Sequence, residues 1–276
     1  MSRPTVELIT TQVRQLKMPG LGRAFVELAR QAREERWSHE DYLHEALAAE
    51  IASRHDSAVR TRLHGARFPE MKTLADFDFG AVEGVDAAVV ADLARGEWIV
   101  RGECVVLAGP IGTGKTHLAI ALGIEAARRM SRIAFYRTAD LVQALVEARD
   151  ARELTRLQRR LRYVSLLILD ELGFVPFDRK GGELLFNLVA DRHATRRSTL
   201  VTTNLAFTEW PAVLGGDDKL TAALIDRLAE RSTILTTRGK SYRLRKRKGD
   251  ASTPAPATVE TADPGKAVTP RRGATR

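Results

Sequence analysis

Cysteine is nearly absent from this chain of 276 residues. Cys104 is the only one, so no intrachain disulfide can form and no cysteine-based metal site can be built. Long apolar runs are missing too, since no stretch approaches the roughly eighteen consecutive apolar residues that a membrane helix needs. The opening residues Met1-Ser2-Arg3-Pro4-Thr5-Val6-Glu7 lack the apolar core of a secretory signal. The expected compartment is therefore the cytoplasm, with a reduced interior and no membrane partner. The six histidines (His39, His44, His55, His64, His117 and His193) show no spacing with acidic residues that resembles a metal site. Acidic residues are in deficit, 35 against 44 lysines and arginines, which leaves a net charge of +9. Such an excess points to a polyanionic partner such as nucleic acid and says nothing about fold. Residues 246–276 hold seven basic and three acidic side chains, or +4, so nearly half of the excess is local.

What is present is more telling. Gly109-Pro110-Ile111-Gly112-Thr113-Gly114-Lys115-Thr116 matches the phosphate-loop pattern G-x-x-x-x-G-K-[ST] at every fixed position. With ordinary residue usage, chance alone would produce that match in about one in a hundred sequences of this length. The apolar run 103–109 reads as a buried strand entering the loop, and 116–128 reads as a helix leaving it. Glycines let backbone N–H groups turn toward a phosphate, and the positive end of the following helix favours the same anion. Lys115 is expected at the β and γ phosphates of ATP, Thr116 on Mg²⁺, and His117 beside them at the start of the helix.

A second apolar run, Tyr163 to Leu169, ends in Asp170-Glu171. Asp170 is placed to hold Mg²⁺, and Glu171 to accept a proton from an attacking water. A third run, Ser198 to Thr203, ends in Asn204, whose amide can both donate and accept beside the carboxylates; the alternative is an ordinary turn asparagine. Between the first two sits Arg149 to Arg162. Here Arg152, Arg156 and Arg160 recur every four residues with Arg159 beside them, opposite a stripe of Leu154, Leu157 and Leu161. A solvated basic face and a DNA-backbone contact both fit this pattern, and the overall basicity favours DNA.

The chain divides accordingly. Residues 1–66 read as helices, Leu8 to Met18, Leu21 to Arg36 and Ser38 to Arg54, with Ser38 as an N-cap and a break at Pro19-Gly20. They form either a small bundle or a docking module. Residues 67–101 read as a linker with a helical stretch, Asp86 to Trp98. Residues 102–245 alternate strand and helix, with strands at 104–108, 133–136, 166–169, 199–203 and 233–236. That order implies an α/β P-loop NTPase, a three-layer parallel sheet with its ligand at the carboxyl ends of the strands. Residues 246–276, with Pro254, Pro256, Pro264 and Pro270 and no apolar period, read as a disordered basic tail.

With these residues in hand, the chain resembles the IstB-type helper ATPases of bacterial insertion sequences over roughly residues 5–246. The resemblance rests on Leu16-Lys17-Met18-Pro19-Gly20, on Phe68 to Phe79, on both nucleotide motifs, and on Asp226-Arg227-Leu228 followed by Gly239 to Arg243. It implies an AAA+ ATPase similar to DnaC-type helicase loaders, working as a homo-oligomer assembled with ATP and double-stranded target DNA, and recruiting a transposase. It also implies that Arg227 is an arginine finger offered to a neighbouring subunit, and that the basic segment 152–160 lies where relatives contact DNA. The Pro-containing tail departs from the family pattern. A replicative helicase loader ranks second. A phosphate-loop kinase ranks third, because the chain offers Asp170-Glu171 and Asn204 and shows no sign of an acceptor pocket or a lid.

Overall fold

A computed structural model describes residues 3–239 and 241–242. Three helices come first: α1 (Arg3–Gln15), α2 (Pro19–Glu34) and α3 (His39–Ala66). Pro19 stands at the first turn of α2, where its missing N–H costs nothing. The neighbouring N–H groups of Gly20 and Leu21 donate to the buried Glu50 carboxylate at 2.7 and 3.1 Å, so one acid on α3 caps α2. Burial pushes the Glu50 carboxyl up, but Arg54 and the two backbone donors outweigh it and hold it below the usual range. Ser38 caps α3 as expected, in a reciprocal box with Asp41. The helix then runs on past Arg54 to Ala66. Its last turns are held from outside, Leu63 and Ala66 packing into the main core cluster against α6 and β2.

The expected helix from Asp86 to Trp98 is two helices, α4 (Ala87–Ala94) and α5 (Glu97–Arg101), because Gly96 takes a left-handed turn between them. From there strand and helix alternate: β1 (Cys104–Ala108), α6 (Lys115–Arg128), β2 (Ile133–Arg137), α7 (Thr138–Asp150), α8 (Leu154–Arg162), β3 (Leu166–Leu172), α9 (Arg179–Ala194), β4 (Ser198–Thr203), α10 (Trp210–Val213), α11 (Asp218–Ala229) and β5 (Ser232–Thr236). All strand pairs are parallel, in the order β2-β3-β4-β1-β5. Alternate side chains go to opposite faces, as the pleat requires. On β3, Leu166 and Ile168 join α6 and the front helices on one side, while Leu167 and Leu169 join α7, α9 and α11 on the other. Three layers result, with the carboxyl ends of the central strands opening on one crevice.

The basic segment departs from expectation. Arg152 is not on the face with Arg156 and Arg160: it lies at φ 58 between α7 and α8. The Arg152 and Glu153 N–H groups return to the carbonyls of Arg149 and Ala148, closing α7 with a left-handed cap. Glycine usually occupies that position, and an arginine there hides the stop in the sequence. Arg156, Arg159 and Arg160 remain exposed on α8, over Leu154, Leu157 and the fully buried Leu161. Beneath them the buried Arg192 of α9 donates to the carbonyls of Leu161, Val164, Ser165 and Ser198, fastening the end of α8 to the sheet. Burial lowers the Arg192 guanidinium to about 10. The expected disordered tail, 246–276, lies outside the described residues.

Candidate functional site

The loop 109–114 closes over the end of β1, with Gly114 at φ +89 as the N-cap of α6. Two close approaches require its glycines. A Cβ at Gly109 would meet the Thr237 carbonyl at 2.2 Å, and one at Gly114 would meet the Phe77 ring at 2.7 Å. The α6 dipole points its positive end into the space the loop surrounds. Lys115, only 9 % exposed, donates from Nζ to the Gly109 and Pro110 carbonyls at 2.7 and 2.6 Å. The ammonium thus sits inside the loop, within a side-chain swing of any bound phosphate. Thr113 holds the loop from behind, its hydroxyl 2.6 Å from that of Thr237.

Asp170 and Glu171 differ sharply although they are neighbours. Asp170 is buried, and its Oδ1 accepts from the Thr116 hydroxyl at 2.9 Å and from the Thr202 hydroxyl at 2.6 Å. Glu171 is exposed and lines the cavity. Its φ of 58 is left-handed, a conformation that costs a non-glycine residue on the order of 1 kcal/mol or more. The Thr116 hydroxyl and the Asp170 carboxylate supply hard oxygen donors side by side, a set that fits Mg²⁺ sharing its sphere with phosphates and water. Among the described residues no cluster of three or more His, Cys, Asp or Glu side chains converges as a separate metal site.

A cavity of about 550 Å³ opens above these groups. Of the expected site residues, Ile111, Gly112, Gly114, Lys115, Thr116, His117, Glu171 and Asn204 line it, with Gly109, Pro110 and Thr113 completing the loop and Asp170 just behind Thr116. His117 is held by the segment before the core: Nε2 is 2.8 Å from the Thr73 carbonyl, and the ring packs edge-on against Phe77. Arg227 does not line the cavity. It lies along α11, donates to the Ala223 carbonyl at 2.8 Å and rests 4.9 Å above the Phe186 ring. Among the described residues it makes no ion pair with Asp226 or Glu230; Glu230 instead faces His193 and Arg231. The α8 arginines also stand away from the cavity.

Sequence reasoning missed two walls. Lys72, Asp76, Phe77, Asp78 and Val82 form one, and Tyr242, whose N–H donates to the Gly112 carbonyl at 2.9 Å, forms part of another. The Thr73 hydroxyl and N–H both donate to Asp76 and hold its carboxyl below the usual range. The Phe-Asp-Phe spacing at 77–79 was the available signal: aromatic residues in a presumed linker must pack on something.

A parallel sheet in this strand order, with phosphate loop and carboxylate strand at its crevice, defines a P-loop nucleotide-binding protein. The family model described as IstB-like ATP binding protein matches residues 11–250, and the chain belongs to that family. It is 38 % identical over 233 residues to an ATP-binding protein of insertion sequence IS21 from Pseudomonas aeruginosa, covering 84 % of this chain and 87 % of that one. It is 33 % identical to the corresponding protein of insertion sequence IS5376 from Geobacillus stearothermophilus, covering 88 % of this chain and 96 % of that one. Among solved structures, AMPPCP-bound DnaA from Aquifex aeolicus superposes with a TM-score of 0.52 at 21 % identity, over 67 % of this chain and 56 % of that one, a likeness of fold.

Proposed function

We propose that this protein hydrolyses ATP and couples the cycle to capture of target DNA for a transposase. The observation that carries the hydrolytic half is the division of labour at the end of β3: Asp170 buried on the Thr116 hydroxyl, Glu171 turned out into the cavity. Lys115 leaves the loop carbonyls for the β and γ phosphates. Thr116 and Asp170 would hold Mg²⁺, which would neutralise phosphate charge when bound. Glu171 takes the proton of the attacking water, and Asn204, on the adjacent strand end, orients that water.

Arg227 acts across a subunit boundary in this reading, which its absence from its own cavity supports. Arg156, Arg159 and Arg160 contact DNA phosphates, supported by their exposure on one helix and by the net charge of +9. The relatives' place in insertion sequences supports a transposase as partner. In this reading residues 1–66 are the docking module and the cytoplasm is the setting.

Two variants test the core of the proposal. Lys115→Ala should lose most ATP affinity in a direct titration. Glu171→Gln should bind ATP as the wild type does and turn it over only at a residual rate, roughly 10²-fold or more below the wild type, because an amide keeps the shape and cannot take the proton. Wild-type turnover by Glu171→Gln refutes the assignment of the base.

A further inference from the structure

The exposed position of Glu171 has a cause in the sheet. Leu169 pairs with Val201 and Leu172 with Thr203, so two residues of β3, Asp170 and Glu171, stand against the single residue Thr202 of β4. This is a β-bulge, and a bulge leaves backbone polar groups without their ladder partners. Buried threonine hydroxyls occupy those places. The Glu171 N–H donates to Thr202 Oγ1 at 2.9 Å, Thr138 Oγ1 donates to the Asp170 carbonyl at 2.8 Å, and Thr203 Oγ1 donates to the Leu172 carbonyl at 2.8 Å. All three threonines are at most 1 % exposed.

Thr202 does two things at once. Accepting from the Glu171 N–H leaves its own hydroxyl proton to donate, and that proton goes to Asp170 Oδ1 at 2.6 Å. One hydroxyl therefore ties the backbone of the exposed acid to the side chain of the buried one. Without the extra residue, the pleat would continue through Glu171 with extended backbone, and its side chain would alternate into a packed layer. The left-handed φ at Glu171 persists only if neighbouring groups over-determine it.

We propose that Thr202 is a positioning residue for ATP hydrolysis: its hydroxyl holds the bulge that aims Glu171 into the cavity. The inference rests on the reading of Glu171 as the base. Thr138 and Thr203 brace the same bulge from the neighbouring carbonyls.

The test is steady-state hydrolysis by the full chain. Thr202→Val keeps the shape and deletes both hydrogen bonds. It should lower kcat on the order of tenfold to a hundredfold, because a positioned base contributes roughly 10²–10⁴-fold and misaiming forfeits part of it. KM and the directly titrated ATP affinity should stay within about twofold, as the loop is untouched and Asp170 keeps both hydrogen bonds from the Thr116 hydroxyl. Thr202→Ser, which retains the hydroxyl, should recover most of the rate. In a Glu171→Gln background Thr202→Val should change nothing further, since there is no base left to misplace. If Thr202→Val loses its cooperative melting transition, Thr138→Val carries the same test, with the same two outcomes for kcat.

A wild-type kcat in the valine variant overturns the inference while leaving Glu171 as the base. An equal loss in the Glu171→Gln background also overturns it, reducing Thr202 to a structural part. Wild-type turnover by Glu171→Gln alone removes the base and this inference with it.

Discussion

If Arg227 serves the pocket of a neighbouring subunit, two inactive variants should repair one another. Among the described residues the guanidinium meets the Ala223 carbonyl and the face of Phe186, at a half-buried position. Removing a cation–π interaction of this kind costs about 1 kcal/mol. For a chain of this size that lowers Tm by about 2–4 °C, so Arg227→Ala should fold and bind ATP. Its hydrolysis should fall about 10³-fold, equivalent to about 4 kcal/mol of transition-state stabilisation. Lys115→Ala supplies the complementary defect, an empty pocket beside an intact finger. In a head-to-tail ring mixed at equal amounts, half the pockets and half the fingers are sound, so about a quarter of the interfaces join a sound pair. Phosphate release at fixed total protein, measured with DNA present, should recover to about a quarter of the wild-type rate by the same count. Co-assembly is checked by cross-linking. A cross-linked mixture whose rate stays at the level of Arg227→Ala alone refutes the reasoning, because a finger acting within its own chain cannot be rescued by any pairing.

Replacing Arg156, Arg159 and Arg160 with glutamine should leave ATP affinity unchanged and reduce the slope of log K for DNA against log salt by about 2–3, near 0.9 for each phosphate no longer neutralised. A fluorescence titration across salt concentrations measures this, and an unaltered slope would return the helix to plain surface. Glu50 predicts a pH effect. Its folded carboxyl lies below the unfolded value of about 4.3, so its contribution is complete above that pH and is lost as pH falls through the lower folded value. Thermal melts should therefore show the wild type losing stability on acidification more steeply than Glu50→Gln, which starts lower and lacks this dependence; parallel pH profiles would contradict the cap.

Much of the core was legible because its strands are short apolar runs with hard stops. The strand 104–108 is framed by Glu103 and Gly109, and the structure reproduces those limits. The front helices were harder. Residues 53–62 carry no apolar period, so the expected end of α3 is Arg54, whereas the helix continues because Leu63 and Ala66 pack against a distant strand. Arg152 failed for a local reason, a left-handed cap without glycine. At the site, the phosphate loop and the acid pair were written in contiguous residues. The turn that buries Asp170 and exposes Glu171 was not, because it depends on hydroxyls from β2's end and from β4. Aromatic residues between 68 and 79 carried a signal that a linker does not explain.

The walls at 72–82 and 237–242 meet each other as well as the cavity. The Arg238 N–H donates to the Glu83 carbonyl at 2.7 Å, Thr237 backs Gly109 and Thr113, and Phe77 sits against Gly114. The phosphate loop is thus clasped from upstream and downstream of the alternating strand-helix stretch. A fragment cut at 102 and 236 would keep every recognisable nucleotide motif, from Gly109 to Asn204, and lose both halves of the clasp. The smallest piece that retains the whole cavity therefore begins before Lys72 and extends through Tyr242. It includes the segment on which the front helices hang, so those helices are tethered directly to a wall of the cavity.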